Sequence, residues 1–168
     1  SSLAAAKSVT ATFTLKTYTV TATKAGTGTG TLTGVTCSGN TCTTTADHGS
    51  TVTVTATADA SSTFAGWSGT DAASCSAATC TFSSLAAAKS VTATFTLKTY
   101  DLTVTQDGTG SGTVSSDPVT LTGLDHGTVV TLTAAADASS TFTGWSGACL
   151  SLTPSCEVMM TEAKSVTA

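Results

Sequence analysis

Apolar and polar residues alternate along several short stretches of the chain. From Val9 to Leu15 apolar residues alternate with threonines, and the same pattern runs from Val52 to Ala58. Because successive side chains of a strand point to opposite faces, a period of two places apolar groups on one face and hydroxyl groups on the other. The pattern predicts half-buried β-strands, and nothing in it indicates a long helix.

A long internal repeat sets the organisation of these strands. The segment SSLAAAKSVTATFTLKTY occurs unchanged at residues 1–18 and 83–100, and two further pairs of blocks recur at 26–32 and 108–114 and at 47–69 and 125–147. A self-similar period of roughly 75–82 residues indicates a tandem array of small domains. The sequence therefore predicts an all-β protein of small β-sandwich or β-grasp-like repeats with short connections.

The repeat also predicts the domain boundaries. Residues 16–97 form repeat 1, and residues 98–168 form repeat 2, which lacks the end of its closing strand. Residues 1–15 match the closing strand of repeat 1. We therefore expect them to be the closing strand of a preceding repeat or a donor strand.

Glycine-rich and Asp-His-Gly segments predict the turns between the strands. Glycine supplies the positive φ angles of tight turns, so Gly26–Gly30 and Gly108–Gly112 are predicted to form hairpins. Asp47–Gly49 and Asp125–Gly127 each precede a strand and predict a second turn. The segment ADASSTF is expected to contain one helical turn.

Composition and charge exclude some classes of function. Only 10% of the residues are charged, arginine is absent, and the net charge is -4. Nucleic-acid binding requires clustered basic residues, so this class is excluded. No run of about 18 apolar residues is present, so no membrane span is expected in this segment.

The six cysteines form three close pairs along the chain: Cys37 with Cys42, Cys75 with Cys80, and Cys149 with Cys156. An even number of locally paired cysteines is typical of disulfides in an oxidising compartment. Zinc is the alternative, although these spacings are longer than CxxC and a structural zinc ion needs four ligands. The disulfide interpretation predicts an extracellular or cell-surface location.

Each repeat contains one tryptophan, which follows a phenylalanine at the same spacing. A small domain needs its largest apolar groups inside. The predicted core residues are Phe64, Trp67, Val91 and Phe95 in repeat 1, and Phe142, Trp145 and Val166 in repeat 2. The alternative is that the two tryptophans stack on sugars at the surface.

No catalytic site emerges, and we expect neither enzymatic activity nor a cofactor. The two histidines, His48 and His126, occupy equivalent turn positions, and no phosphate-binding glycine motif is complete. Calcium binding by aspartates remains an alternative for Asp59, Asp71, Asp107 or Asp137, although no EF-hand-like cluster appears, and no metal site is predicted. The outward-facing threonines and serines leave O-glycosylation open as a hypothesis.

The order of GTGSGTV, HGTVVTLTA, FTGWSG, a cysteine pair and AKSVTA resembles the divergent internalin B-repeats of bacterial surface proteins. The resemblance covers nearly the whole chain. FAGWSG followed by AKSVTATF is its most specific part. The resemblance implies a small β-rich module that is used in tandem as a stalk, adhesin or spacer and has no catalytic residues. One departure is that the Cys37–Cys42 segment has no counterpart in repeat 2.

These observations favour a structural or adhesive repeat protein of an extracellular stalk or filament. The alternative is a non-catalytic carbohydrate- or ligand-binding module appended to a secreted bacterial enzyme. Two kinds of partner remain open. Either another copy of the chain adds its strand head-to-tail, or adjoining repeats of a longer chain continue the array.

Overall fold

The computed structural model describes residues 6–168 and confirms the all-β prediction. Its strands are β1 (Thr17–Ala25), β2 (Gly30–Thr33), β3 (Thr36–Ser38), β4 (Thr41–Asp47), β5 (Val52–Ala58), β6 (Ser62–Ser68), β7 (Cys75–Ser76), β8 (Thr79–Phe82), β9 (Lys89–Leu97), β10 (Thr99–Tyr100), β11 (Leu102–Thr105), β12 (Gly112–Asp117), β13 (Leu124–Asp125), β14 (Val129–Ala136), β15 (Ser146–Gly147), β16 (Ser155–Met159) and β17 (Lys164–Thr167). A single short 3₁₀ turn, Ala72–Ser74, is the helical part of the described residues.

The described chain divides into two compact units. The first contains the segment up to Ala25 together with Leu32–Thr57 and Gly66–Ala93, and the second contains Gly26–Thr31, Ala58–Ala65 and Thr94–Ala168.

Strands β1 to β9 form two sheets. The larger has the order β3-β4-β1-β9-β6 and the smaller has the order β2-β5-β8-β7. Alternation places the apolar side chains of each strand on one face: Val20 and Ala22 of β1 are fully buried, whereas Thr19, which precedes Val20, is exposed. The sequence period of two thus becomes a buried apolar face in each sheet.

Strands β10 to β17 form three smaller sheets, with the orders β10-β13, β11-β17-β15 and β12-β14-β16. Strands β11 and β17 are parallel, with Leu102 opposite Lys164 and Thr105 opposite Thr167. Their apolar side chains surround one core, which contains Leu102, Leu124, Val130, Leu132, Ala134, Trp145, Cys156, Val158, Met160 and Val166.

The glycine-rich segments differ from the predicted hairpins. Strands β1 and β2, which flank Gly26–Gly30, belong to different sheets, and so do β11 and β12 around Gly108–Gly112. The reason is the position of β9: a Cβ atom on Gly26 would collide with the Phe95 carbonyl oxygen. These glycines therefore allow the chain to cross between sheets close to another strand, and they do not close a hairpin.

The other turns follow the sequence more closely. The Asp-His-Gly turns are confirmed, because the Ser50 N–H donates to the Asp47 carbonyl (3.1 Å) and the Thr128 N–H donates to the Asp125 carbonyl (3.0 Å). The ADASSTF segment forms a four-residue turn closed by the Ser62 N–H and the Asp59 carbonyl (2.9 Å). The prediction of a helical turn there is wrong, because the turn contains this single hydrogen bond and β6 begins at Ser62.

Candidate functional site

All six cysteines form disulfides in the predicted pairs: Cys37–Cys42, Cys75–Cys80 and Cys149–Cys156. Two of the bonds link residues directly opposite each other, on β3 and β4 and on β7 and β8. In each pair the second cysteine is buried and the first is more exposed. The bonds pin short hairpins to the core and leave no thiolate for the alternative zinc site.

The aromatic residues of the second repeat belong to its core. Trp145 is 4% exposed, and its ring meets that of Phe142 edge-on at a centroid distance of 5.3 Å. The Trp145 Nε1–H donates to the Pro154 carbonyl oxygen (3.2 Å). With Val166 fully buried in the same cluster, all three predicted core residues contribute to the packing of this repeat. Trp145 therefore presents no ring face to a sugar.

The predicted core residues of the first repeat differ in burial. Val91 and Phe95 of β9 are each 1% exposed. Phe64 and Trp67 of β6 are only partly buried. The Phe64 ring packs against the Phe95 ring at a centroid distance of 5.6 Å. Phe64 and Phe95 therefore form an aromatic pair between β6 and β9.

Each repeat begins with the same contact to its histidine turn. The His48 N–H donates to the Lys16 carbonyl and the His126 N–H donates to the Lys98 carbonyl, both at 2.8 Å. The ring of Tyr18 lies 6.0 Å from the ring of His48. The corresponding distance between Tyr100 and His126 is 6.1 Å. The histidines thus anchor the start of a repeat, a structural role for these turn residues.

The aspartates considered for calcium have local structural contacts. Asp71 forms an ion pair with Lys89 (2.9 Å) and accepts the Ser90 N–H (2.8 Å). The Lys89 hydrogen bond, followed by the Ser90 N–H, lowers the pKa of the Asp71 carboxyl from its ordinary value. Asp107 accepts the Gly108 N–H (2.7 Å), and the carbonyls of Asp59 and Asp137 close turns. Among residues 6–168, no group of three or more potential metal ligands is positioned to hold an ion.

The end of β9 lies against the glycine-rich segment of the first repeat. The Gly28 N–H donates to the Phe95 carbonyl (3.0 Å), and the Leu97 N–H donates to the Thr27 hydroxyl (3.2 Å). A Cβ on Gly28 would lie 2.6 Å from the Thr96 carbonyl carbon, and one on Gly30 would collide with the Phe95 ring. The glycines are therefore required by the close passage of this closing strand.

The second repeat has a groove at the equivalent position. Its lining includes Gly108, Gly110, Gly112, Ser140, Phe142 and Ala168, and its volume is about 780 Å³. The Ser111 N–H donates to the Ser140 hydroxyl at 2.9 Å, just as the Thr29 N–H donates to the Ser62 hydroxyl at 2.9 Å in the first repeat. The hydrogen bond between the serine hydroxyl and the glycine-rich segment is therefore the same in both repeats. Ala168 aligns with Ala93, two positions before Phe95.

The N-terminal segment presents apolar side chains to solvent. Residues 6–16 belong to no strand, and the side chains of Val9, Phe13 and Leu15 are 95%, 91% and 66% exposed. The other large exposed apolar residues in the described chain are Val119, Val129, Leu150, Leu152 and Met159. The interpretation of residues 1–15 as a closing or donor strand stays a prediction, and residues 1–5 lie outside the described residues.

Sequence reasoning missed the contacts that frame the groove. Ser62 and Ser140 bind the glycine-rich segments through their hydroxyls. The signal was available, because the glycine run and the Ser-Ser-Thr-Phe motif recur together in both repeats. A single sequence does not show that the two motifs lie close together, because about 30 residues separate them.

In the described part of the chain, no helix has the length and apolar character needed to cross a membrane.

Comparison with known proteins agrees with the repeat pattern. The model of the family described as "Divergent InlB B-repeat domain" matches two consecutive segments, residues 18–99 and 100–168. Neither a curated protein nor a solved structure gives a significant match. The family match covers most of the sequence and coincides with two tandem all-β repeats. The chain therefore belongs to the divergent InlB B-repeat domain family and contains two of its domains in tandem.

Proposed function

We propose that the chain is a non-catalytic structural module of an extracellular stalk or filament, in which the repeats supply length. The observation that carries this proposal is the junction between the repeats. One residue, Lys98, separates β9 from β10. A spacer transmits position only when its joints are stiff, and a joint of one residue leaves little conformational freedom.

Hydrogen bonds restrict Lys98 further. Its N–H donates to the Ser61 carbonyl (2.9 Å), and its Nζ donates to the Ala60 carbonyl (2.8 Å). Its own carbonyl accepts the His126 N–H. The junction residue is thus bonded on its donor and acceptor sides, which supports a rigid connection.

An extracellular setting is supported by the chemistry of the cysteines and by the family. Disulfides persist in oxidising compartments and are rare in the cytosol. Three disulfides in 168 residues fit that setting. We place the module on the cell surface or in a secreted fibre, with neighbouring repeats, in the same chain or in another copy, as its partners.

The absence of catalysis is part of the proposal. The side chains best suited to nucleophilic or acid–base chemistry have structural contacts: the cysteines are oxidised, and the histidine turns hold the repeat starts. The Asp71 carboxylate is paired with Lys89. These contacts support a structural role for the residues a hydrolase would use.

This function can be tested by measuring how stiff the junction between the repeats is. Dyes attached through unnatural amino acids at Asn40 and Thr120, both exposed, report the distance between repeats by single-molecule energy transfer without disturbing the cysteines. We expect one narrow distance distribution.

The matched control carries a six-residue glycine–serine insertion after Lys98, which should broaden the distribution because such linkers behave as flexible coils. Equal widths for the two proteins would contradict the spacer function.

A further inference from the structure

We propose that the open edge of β16 in the second repeat is a docking site for an extended segment of another protein. That segment has a basic side chain opposite Glu157 and an apolar side chain beside Met159, and it adds a strand to the sheet β12-β14-β16. The contact gives the proposed spacer a binding surface, and it does not depend on the stiffness of the Lys98 junction.

The edge is open because the second repeat lacks the strand that covers the equivalent edge in the first. In the first repeat, β7 pairs with the start of β8, and Cys75 lies directly opposite Cys80 at a Cα–Cα distance of 3.9 Å. In the second repeat, the Cα atoms of Cys149 and Cys156 lie 6.4 Å apart, and β16 is the last strand of its sheet. All four strands of the sheet that contains β8 belong to the first repeat, so a repeat covers this edge with its own residues.

The loop after Cys149 follows Trp145 instead of β16. Ser151 forms a β-bridge with Trp145, whose backbone N–H donates to the Ser151 carbonyl (2.7 Å). The Trp145 Nε1–H donates to the Pro154 carbonyl (3.2 Å). This loop is two residues longer than its counterpart in the first repeat. The longer loop thus reaches the Trp145 ring and leaves the side of β16 uncovered.

The backbone groups of alternate β16 residues point to this uncovered side. The Ala134 N–H donates to the Pro154 carbonyl (2.9 Å), and the Met160 N–H donates to the Thr128 carbonyl (2.8 Å). Because the bonding direction alternates along a strand, these two bonds and the register show that the N–H and carbonyl of Glu157 point away from β14. Glu157 is therefore the centre of the ladder that an added strand would form.

The charge of the second repeat favours a cationic partner. Residues 98–168 contain seven acidic residues and two lysines, whereas residues 16–97 contain three of each. Glu157 is exposed and occupies the position of Thr81 in the first repeat. A charge on an edge strand disfavours a like charge directly opposite it and favours an opposite one. Two copies of β16 paired about Glu157 would place two carboxylates face to face, so this register disfavours a second copy as the occupant.

Apolar side chains next to Glu157 define the rest of the partner. Met159 and Val129 lie directly opposite each other on β16 and β14, and they are 55% and 44% exposed. Their counterparts in the first repeat are Ser83 and Thr51. From residue 16 onward, the exposed large apolar side chains all lie in the second repeat. Because alternate residues share a face, an added strand covers Met159 with a side chain two positions from its basic residue.

Two labelled peptides, TVTKTVT and TVTETVT, test this site with the full chain. Each peptide reads the same in both directions, so it can add to the edge in either orientation, and the two differ only in the charge of the central residue. We expect TVTKTVT to bind about tenfold more tightly than TVTETVT. Its binding should also slow the hydrogen exchange of the Glu157 amide, because the added strand accepts this hydrogen bond.

Substitutions in the chain separate the charged contact from the apolar one. Glu157→Lys should reverse the preference, so that TVTETVT binds more tightly. Met159→Ser should weaken the binding of both peptides by a similar factor. Thr81→Lys introduces the same charge at the equivalent position of the first repeat and should leave binding unchanged. Unaltered thermal unfolding shows that each variant folds.

Equal binding of the two peptides, no binding of either, or a preference that Glu157→Lys leaves unchanged would overturn the proposal. Analytical ultracentrifugation of the chain alone tests a second copy as the occupant. We expect no self-association that Glu157→Lys alters, and a dimer that protects the Glu157 amide from exchange would also overturn the proposal. A narrow distance distribution at the Lys98 junction would still support the spacer function after any of these results.

Discussion

Trp67 and Trp145 occupy the same repeat position but differ in their surroundings. Trp145 is buried and its indole N–H is bonded to the Pro154 carbonyl, whereas Trp67 is partly exposed. The loop between Cys149 and Cys156, which supplies Pro154, is longer than its counterpart between Cys75 and Cys80. Equal sequence positions therefore do not guarantee equal burial, because the covering loop comes from a part of the repeat that differs.

This difference predicts unequal costs of truncation. Trp145→Ala should destabilise the second repeat by about 3–5 kcal/mol, because it leaves a cavity and an unpaired carbonyl. Trp67→Ala should cost the first repeat about 1–3 kcal/mol, because Trp67 is less completely buried than Trp145. Urea denaturation followed for each repeat measures both values. A greater loss at Trp67 than at Trp145 would show that the burial described for them is incorrect.

Asp71 predicts an acid-sensitive contribution to the stability of the first repeat. Its pKa is lowered in the folded state, mainly by the Lys89 hydrogen bond, so its ionised form stabilises the fold. This contribution is complete above the unfolded pKa, about 3.9, and is lost as the pH falls through the lower folded value. Asp71→Asn should cost about 0.5–1 kcal/mol at pH 7, and the cost should shrink as the pH falls below the unfolded pKa.

Urea denaturation of the first repeat between pH 7 and pH 2 measures the Asp71 effect. Asp125→Asn removes one negative charge from the second repeat and serves as the control for net charge. A constant difference between wild type and Asp71→Asn across this pH range would contradict the assignment.

Strands were the elements that sequence predicted best. In β1, β5 and β9, apolar and polar residues alternate because every second side chain faces the core. This period of two can be seen directly in the sequence. The glycine segments were misassigned as hairpins because glycine permits several backbone paths. What fixes the path around Gly28 is the closing strand about 70 residues later, a contact that local sequence does not record.

The disulfides predict a local effect at the level of the hairpin. Cys37 and Cys42 close a six-residue loop on β3 and β4, which by loop entropy contributes about 2 kcal/mol. The double variant Cys37→Ala/Cys42→Ala should therefore lower the unfolding free energy of the first repeat by about that amount. The second repeat, which has no counterpart of this pair, provides an internal control, and a loss of similar size there would contradict a local role.

At the scale of the whole molecule, the duplicated segments predicted two tandem repeats because near-identical sequences bury the same faces. The groove of the second repeat could not be predicted in the same way. Its walls come from three separated segments around Gly110, Ala135 and Ser140.

The parallel pairing of β11 with β17 also determines how the second repeat carries tension. The chain enters this ladder at Leu102 and leaves it at Thr167, which lie at opposite ends of the paired strands. A pull along the chain therefore slides the two strands past each other and loads their hydrogen bonds together. Antiparallel neighbours joined by a hairpin would open one bond at a time under the same pull. When the second repeat is pulled from these two ends, the β11–β17 ladder is therefore loaded in shear.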